Sequence, residues 1–372
     1  MSGRVIVVGS VNIDLVARVP HLPHPGETVT GGSYDQHHGG KGGNQAVAAA
    51  RLRRPTLLIG AVGDDAFESE ARRALVMERV DVSMVASMPG QATGVALILV
   101  DANGENQIVV IPGANGAIEK GYARECLGRL GRLTGDVVLL CNEVPLHVVR
   151  EALICARAAG ATTILNPAPA TGIDRSVFAL ADIITPNRNE LSMLLHTEAR
   201  RTGRRTDASQ EAPARARLLL DPGPEGPGVG KAVIVTLGAA GVLVLERTGA
   251  GLDRAVARPR DAGGFPAAAA PASGAEAAST PVAETTAPTG AAAGEAEGVR
   301  MWEVPGERVS TLDSTGAGDA FNGALAAAIA EGRPLVEAVH RAVSAGALAT
   351  THVGAREGMP TALELEEFLA TR

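Results

Sequence analysis

The sequence predicts an α/β fold in which helices cover a parallel sheet. Short apolar runs of strand length recur along the chain, and amphipathic or alanine-rich stretches of helical length lie between them. That alternation builds parallel sheets through crossover connections. Composition agrees with a packed body: of 372 residues 45% are apolar and 20% charged, enough to bury a sizeable core and to exclude wholesale disorder.

The elements follow in chain order. The first strand, 4–9, is the run Val5-Ile6-Val7-Val8, and it begins too early to leave room for a cleavable leader. Segment 11–35 breaks the alternation. A helix is expected over 43–53, a strand over 56–60 and a helix over 67–79. Segment 93–112 breaks the pattern again and reads as a β-hairpin turning at Asn103-Gly104, the dipeptide that suits a tight two-residue turn. Strands at 136–141, 161–165, 182–185 and 232–237 follow, with helices at 146–159 and 189–195. Segment 200–213, with Arg200, Arg201, Arg204 and Arg205, reads as a solvated loop. Strand-like runs at 242–245 and 302–309 flank a low-complexity stretch of about 249–298. Its 262–298 core holds fifteen Ala, six Gly, four Pro and four Glu, with Phe265 and Val282 as its larger apolar residues. Such a segment buries too little to offset its ordering entropy, so a flexible insertion within a single domain spanning 1–372 is expected.

Charge and composition narrow the function. A net charge of −7 argues against a general binder of nucleic acid or anionic membranes, and eight aromatic residues make base-stacking platforms an unsuitable reading. No apolar run approaches the ~20 residues that span a bilayer. Cys126, Cys141 and Cys155 are odd in number and widely spaced, which fits reduced thiols in a cytoplasmic protein better than a disulfide framework or zinc site. The His21-x-x-His24 pair has no further ligand pattern and reads as ordinary packing.

Two glycine clusters carry the chemistry. No G-x-G-x-x-G follows the first strand and no G-x-x-x-x-G-K-[ST] occurs, which removes the dinucleotide fingerprint and the P-loop. Asp313-Ser314-Thr315-Gly316-Ala317-Gly318-Asp319-Ala320-Phe321 opens an alanine-rich helix running to about residue 330. A helix N-terminus preceded by small residues offers free N–H groups and a positive dipole end to an anion. Asp319 then lies in the first turn, either as a structural cap or as a base. Gly39-Gly40-Lys41-Gly42-Gly43-Asn44 opens another helix at Gln45 and contains one of only three lysines. Asn12 and Asp14 follow the first strand, at the sheet edge where open α/β folds bind ligands. Amides, a carboxylate and glycine backbone suit a polyhydroxylated ligand, whose hydroxyls need both donors and acceptors.

These residues resemble the ribokinase branch of the PfkB carbohydrate kinase family. The resemblance runs through Gly9-Ser10-Val11-Asn12-Ile13-Asp14, Pro25-Gly26-Glu27-Thr28, the Gly39 to Gln45 cluster and Asn166-Pro167-Ala168-Pro169. It continues at Thr185-Pro186-Asn187-Arg188-Asn189-Glu190, Thr236-Leu237-Gly238 and the Asp313 to Phe321 cluster. It implies a ribokinase-like three-layer α/β/α sandwich with a mostly parallel sheet and a small β-sheet lid from 11–35 and 93–112. It also implies a homodimer joined through that lid. The implied reaction is transfer of the ATP γ-phosphate to the O5 hydroxyl of D-ribose. Asp319 is the base, and Gly316, Ala317 and Gly318 form an anion hole. Sugar ligands are Asn12, Asp14, Gly40, Lys41 (through its backbone), Gly42, Gly43, Asn44 and Glu143, with Asp319. Nucleotide positions are Asn187, Thr236, Leu237, Gly238, Ala239, Ala240, Gly241 and Val343, with Gly318 and Asp319. Glu190 is implied for Mg²⁺ through water. Asp313, Thr315, Ala349, His352, Gly354 and Gly358 are implied for K⁺, although Gly358 stands where the family commonly has serine. A kinase of the same fold acting on deoxyribose, a ketose or a nucleoside remains open, as does a non-catalytic sugar sensor.

Overall fold

The computed structural model describes residues 3–173, 175–202, 212–220, 228–248, 294–296 and 298–372; most of the low-complexity insertion and residues 203–211 lie outside them. The chain runs β1 (Val5–Val8), β2 (Asn12–Arg18), β3 (Ser33–Gly39), α1 (Lys41–Arg51), β4 (Thr56–Gly63), α2 (Glu68–Met77), β5 (Val80–Met88), β6 (Gly94–Val100) and β7 (Asn106–Ile111). It continues with α3 (Tyr122–Leu130), β8 (Val137–Cys141), α4 (Leu146–Ala158), β9 (Thr162–Asn166), α5 (Arg175–Phe178), β10 (Ile183–Ile184), α6 (Arg188–Thr202) and α7 (Ala212–Leu220). Then come β11 (Ala232–Thr236), β12 (Val242–Arg247), β13 (Gly294–Ala296), β14 (Val299–Val304), α8 (Ala317–Ala330), α9 (Leu335–Ala349) and α10 (Ala362–Ala370).

Ten strands form the main sheet in the order β13-β14-β12-β11-β10-β9-β8-β1-β4-β5. From β5 to β11 all neighbours are parallel, and β12, β14 and β13 close one edge antiparallel. Parallel strands buried on both faces need apolar residues at successive positions, and β1 meets that need with Val5 and Val7 in one core, Ile6 and Val8 in the other. α1, α8, α9 and α10 pack on the first face, and α3, α4 and α7 on the second. The result is the expected three-layer α/β/α sandwich with a mostly parallel sheet. A second sheet, β3-β2-β6-β7, is built from the two segments that break the alternation. β7 is exposed at every position.

Boundaries differ from expectation at informative places. α1 starts at Lys41, so Gly42 and Gly43 lie inside its first turn instead of in a loop before it. β5 was not anticipated, because exposed polar residues interleave with its buried Val80 and Val85. β3 extends the small sheet to Gly39. Gly294–Ala296, inside the expected insertion, pairs antiparallel with β14. Among the described residues, no helix is long and apolar enough to cross a membrane.

Candidate active site

β1 has β4 on one side and β8 on the other, so the strand order reverses there. In open α/β sheets the crevice beyond the C-terminal strand ends at such a switch point receives ligands. Ser10 and Asn12 leave β1 into this crevice, Glu143 follows β8, Asn166 ends β9 and Asn187 follows β10. The helices α1 and α8 aim their first turns at the same place. α8 has Gly316 as N-cap at φ 77° and receives no side-chain cap; the Ala317 N–H donates to the Ser314 carbonyl at 3.3 Å, and a helix start of this kind can offer its other first-turn N–H groups to a ligand.

Asp319 sits at the centre and is only 7% exposed. Its Oδ2 accepts from Asn44 Nδ2 at 3.1 Å and its Oδ1 from Gln45 Nε2 at 3.0 Å, while that same Nε2 also reaches Asn166 Oδ1 at 3.1 Å. Asn322, one turn along α8, donates to the Gly318 carbonyl at 2.8 Å and accepts from Thr185 Oγ1 at 2.7 Å, fixing the helix start against β10.

Toward the small sheet lies a cavity of about 470 Å³ whose wall includes Ser10, Asn12, Lys41, Val110, Asn115 and Glu143. Glu143 Oε2 accepts from Ser10 Oγ at 2.5 Å and from the Lys41 backbone N–H at 2.9 Å. The Lys41 backbone N–H is therefore engaged by Glu143, and Lys41 is among the residues that line the cavity. The charge of Asp319, with Glu143 and Glu190 adding to it, drives the Lys41 pKa well above the ordinary lysine range despite opposing burial. Asn12 Oδ1 accepts from Asn115 Nδ2 at 2.8 Å, leaving the Asn12 Nδ2 as the donor end of that amide. Asp14 lies near Arg356, Glu143 and Asp319, and burial raises its pKa to about 6 even though Arg356 pulls it down. Gly40 adopts φ 82°, a left-handed conformation that favours glycine. Gly42 and Gly43 leave room for their neighbours: a Cβ on Gly42 would stand 2.5 Å from the Gly9 carbonyl carbon, and one on Gly43 2.4 Å from Arg356 Nη2.

A second cavity of about 320 Å³ opens on the other side of the α8 start, walled in part by Thr236, Gly238, Ala239, Gly241, Gly318 and Val343. Leu237 packs instead against the core of the second face, and Ala240 is exposed on the short helical turn Gly238–Ala240. Asn187 forms a β-bridge to Thr236. It also exchanges hydrogen bonds with Glu190: Asn187 N–H to Glu190 Oε2 and Glu190 N–H to Asn187 Oδ1, both at 2.8 Å. That reciprocal pair is a capping box for α6. Burial raises the Glu190 pKa, and Lys41 opposes the rise.

Asp313 accepts from Thr315 N–H at 2.9 Å, Thr315 Oγ1 at 2.7 Å and Gly354 N–H at 2.9 Å. Burial pushes its pKa up, and these bonds bring it below the usual value. Ala349, at the end of α9, turns its carbonyl toward Gly358, where a Cβ would lie 2.2 Å away; a serine needs movement of that carbonyl. His352 is exposed, with Thr351 Oγ1 3.0 Å from its Nδ1. The three cysteines are free and buried. Among the described residues no cluster of three or more His, Cys, Asp or Glu is placed to hold a metal, and His21 bonds to Glu27 at 2.8 Å.

Sequence reasoning missed several polar partners of this site, among them Gln45, Asn115, Asn166 and Arg356. Gln45 and Asn166 stand within recognised motifs, so their positions were visible and their connection was not. Asn115 and Arg356 lie outside the matched motifs and meet the site only through contacts 103 to 317 residues away in sequence.

The profile of the pfkB family carbohydrate kinases matches residues 2–261 and 267–362. The chain belongs to this family, and its class is that of an ATP-dependent carbohydrate kinase. Within the class it is 31% identical over 369 residues to the ribokinase of Haemophilus influenzae, covering 99% of both chains. It is 29% identical to the deoxyribokinase of Salmonella typhimurium, covering 98% of both. The solved structure of Arabidopsis thaliana ribokinase complexed with ribose and ATP superposes with a TM-score of 0.73 at 26% identity, over 99% of both chains.

Proposed function

We propose that this kinase transfers the γ-phosphate of ATP to the O5 hydroxyl of D-ribose, giving D-ribose 5-phosphate and ADP. The observation that carries the reading is the position of Asp319. It is hydrogen-bonded to Asn44 and electrostatically coupled to Lys41 on the sugar side, while its neighbour Gly318 lines the cavity on the other. The similar ribokinases, one of them solved with ribose and ATP, support the substrate pair.

Asp319 takes the proton of the attacking hydroxyl as oxygen approaches phosphorus. The backbone N–H groups of Gly316, Ala317 and Gly318, at the start of α8, receive the developing negative charge. Lys41, held positive by the surrounding carboxylates, neutralises charge on the transferring group. Asp14, Asn44 and Glu143 accept or donate to sugar hydroxyls, and Asn12 Nδ2 supplies a donor for a further ring hydroxyl. The nucleotide lies along Thr236 to Gly241 with adenine near Val343. Mg²⁺, when bound on the phosphates, supplies charge neutralisation. It needs few protein ligands because it keeps its waters, and Glu190 fits a contact through water. The ionised Asp313 with the carbonyls at Ala349, His352, Gly354 and Gly358 suits K⁺, which would order the anion-hole loop. The small sheet covers the sugar and excludes competing water, and its outer face joins a second copy of the chain.

A coupled ADP-release assay with ribose, deoxyribose, fructose and adenosine tests the substrate. Ribose is expected to give the highest kcat/KM; preference for deoxyribose would instead favour the activity of the deoxyribokinase that is 29% identical. Asp319→Asn is expected to lower kcat by ~10²–10⁴-fold with ribose binding retained by calorimetry. Normal turnover in that variant would remove Asp319 from the mechanism.

A further inference from the structure

Arg356 is a buried cation that neither cavity explains. It sits in the loop between α9 and α10, 6% exposed. Its Nε donates to Asn44 Oδ1 at 3.0 Å and its Nη2 to the Gly39 carbonyl at 2.8 Å. The other end of the same amide, Asn44 Nδ2, donates to Asp319 at 3.1 Å. An amide has one acceptor end and one donor end, and a guanidinium can only donate. Arg356 therefore dictates which end of Asn44 faces Asp319.

The surroundings are shaped for this side chain. Arg51 Nη1 donates to the Arg356 and Met359 carbonyls at 2.6 and 2.7 Å, clamping the loop backbone to α1. Gly43 leaves the space that the guanidinium fills, and Gly39 leaves room for Asp14, whose carboxylate oxygens would stand 2.2 Å from a Cβ there. Asp14 in turn feels Arg356 as its strongest opposite charge. A charge buried this deeply persists only with partners: its hydrogen-bond acceptors Asn44 and Gly39 adjoin the sugar side of the site, and Asp14, Glu357, Glu78 and Asp319 supply opposite charge.

We infer that Arg356 is a positioning residue for phosphoryl transfer, orienting the Asn44 amide toward Asp319 and holding a positive charge beside Asp14. The inference rests on the reading of Asp319 as the base. The two roles separate kinetically. Orientation acts on kcat through Asn44 and Asp319, and charge acts on sugar KM through Asp14.

Arg356→Lys keeps the charge but cannot place two nitrogens as the planar fork does. It is expected to lower kcat about tenfold or more while ribose KM stays within about threefold and ATP KM is unchanged. Arg356→Met removes both functions and is expected to raise ribose KM as well. Asn44→Ala cuts the same link from the other end, so adding Arg356→Lys to it should cost no further kcat. The Arg356→Lys and Asn44→Ala cycle decides the question even if Arg356→Met fails to fold. A kcat for Arg356→Lys within about twofold of the parent overturns the inference, as does an undiminished effect in the Asn44→Ala background. Asp319→Asn measured alongside separates the levels. Turnover there removes the underlying reading, whereas an inactive Asp319→Asn with a normal Arg356→Lys removes only the role of Arg356.

Discussion

Asp14 and Arg356 divide one electrostatic problem between them. Burial lowers the Arg356 pKa to about 10, so it remains charged at neutral pH. Burial raises that of Asp14 to about 6, within reach of mild acid. In the proposed mechanism the ionised Asp14 accepts sugar hydroxyls. Ribose KM is therefore expected to rise as pH falls through about 6, a step that Asp14→Asn should flatten while leaving KM high throughout. Initial-rate kinetics from pH 5 to 8 check this, and a wild-type KM flat across that range would contradict it. Stability runs the other way. The folded pKa lies above the unfolded value of 3.8, so the contribution of Asp14 to the fold is fully present below that value and is lost as pH rises through about 6. Of these relations, the sequence showed Asp14 near the end of the first strand. The pairing with Arg356 was hidden because it joins distant points of the chain.

At the scale of elements, the small sheet presents two faces with different tasks. Val110 on β7 lines the sugar-side cavity. Alternation then turns its neighbours Val109 and Ile111 to the opposite side, where Val109 pairs with Leu97 of β6. Val109 and Leu97 are 58% and 42% exposed. An exposed apolar sheet face of this kind favours association, in agreement with the proposed dimer. Val109→Asp is expected to shift the protein from dimer to monomer in sedimentation velocity at micromolar concentration, with ATP affinity unchanged. A wild-type monomer under the same conditions would remove the dimer reading. The sheet was partly legible: β6, β7 and a hairpin between them were predicted, but the loop spans 101–105, with Gly104 at φ 83°, instead of closing in two residues. The extension of β3 to Gly39 was not, because its polar sequence Ser33-Tyr34-Asp35-Gln36-His37-His38-Gly39 carries no apolar signal. What fixes it is the ladder to β2, which pairs Asn12 with Gly39.

For the whole molecule, the insertion connects β12 to the antiparallel edge of the sheet, on the side away from β1, β4 and β5. A loop joining two strands adds little cost with length, since closure entropy grows only logarithmically. Deleting 262–290, which spares the paired Gly294–Ala296 strand, is expected to leave kcat and both KM values within about threefold. A larger loss of ATP affinity would show that the segment serves the nucleotide side.

The sequence by itself determined the class of this protein. Apolar periodicity specified a parallel sheet between helices, and the ordered glycine, asparagine and aspartate motifs identified the kinase family, because both signals are local and are written in consecutive residues. The tertiary structure decided how the site is wired. It showed why positions 42 and 43 are glycine, since a Cβ at either would press on Gly9 or Arg356. It tied the Lys41 backbone to Glu143, and it made the Asn187 and Glu190 pair a helix cap. It brought Gln45, Asn166 and Arg356 together around Asp319 and Asn44. Those links depend on three-dimensional proximity between residues up to 317 positions apart, and hydrogen bonds between such partners leave no periodic trace along the chain.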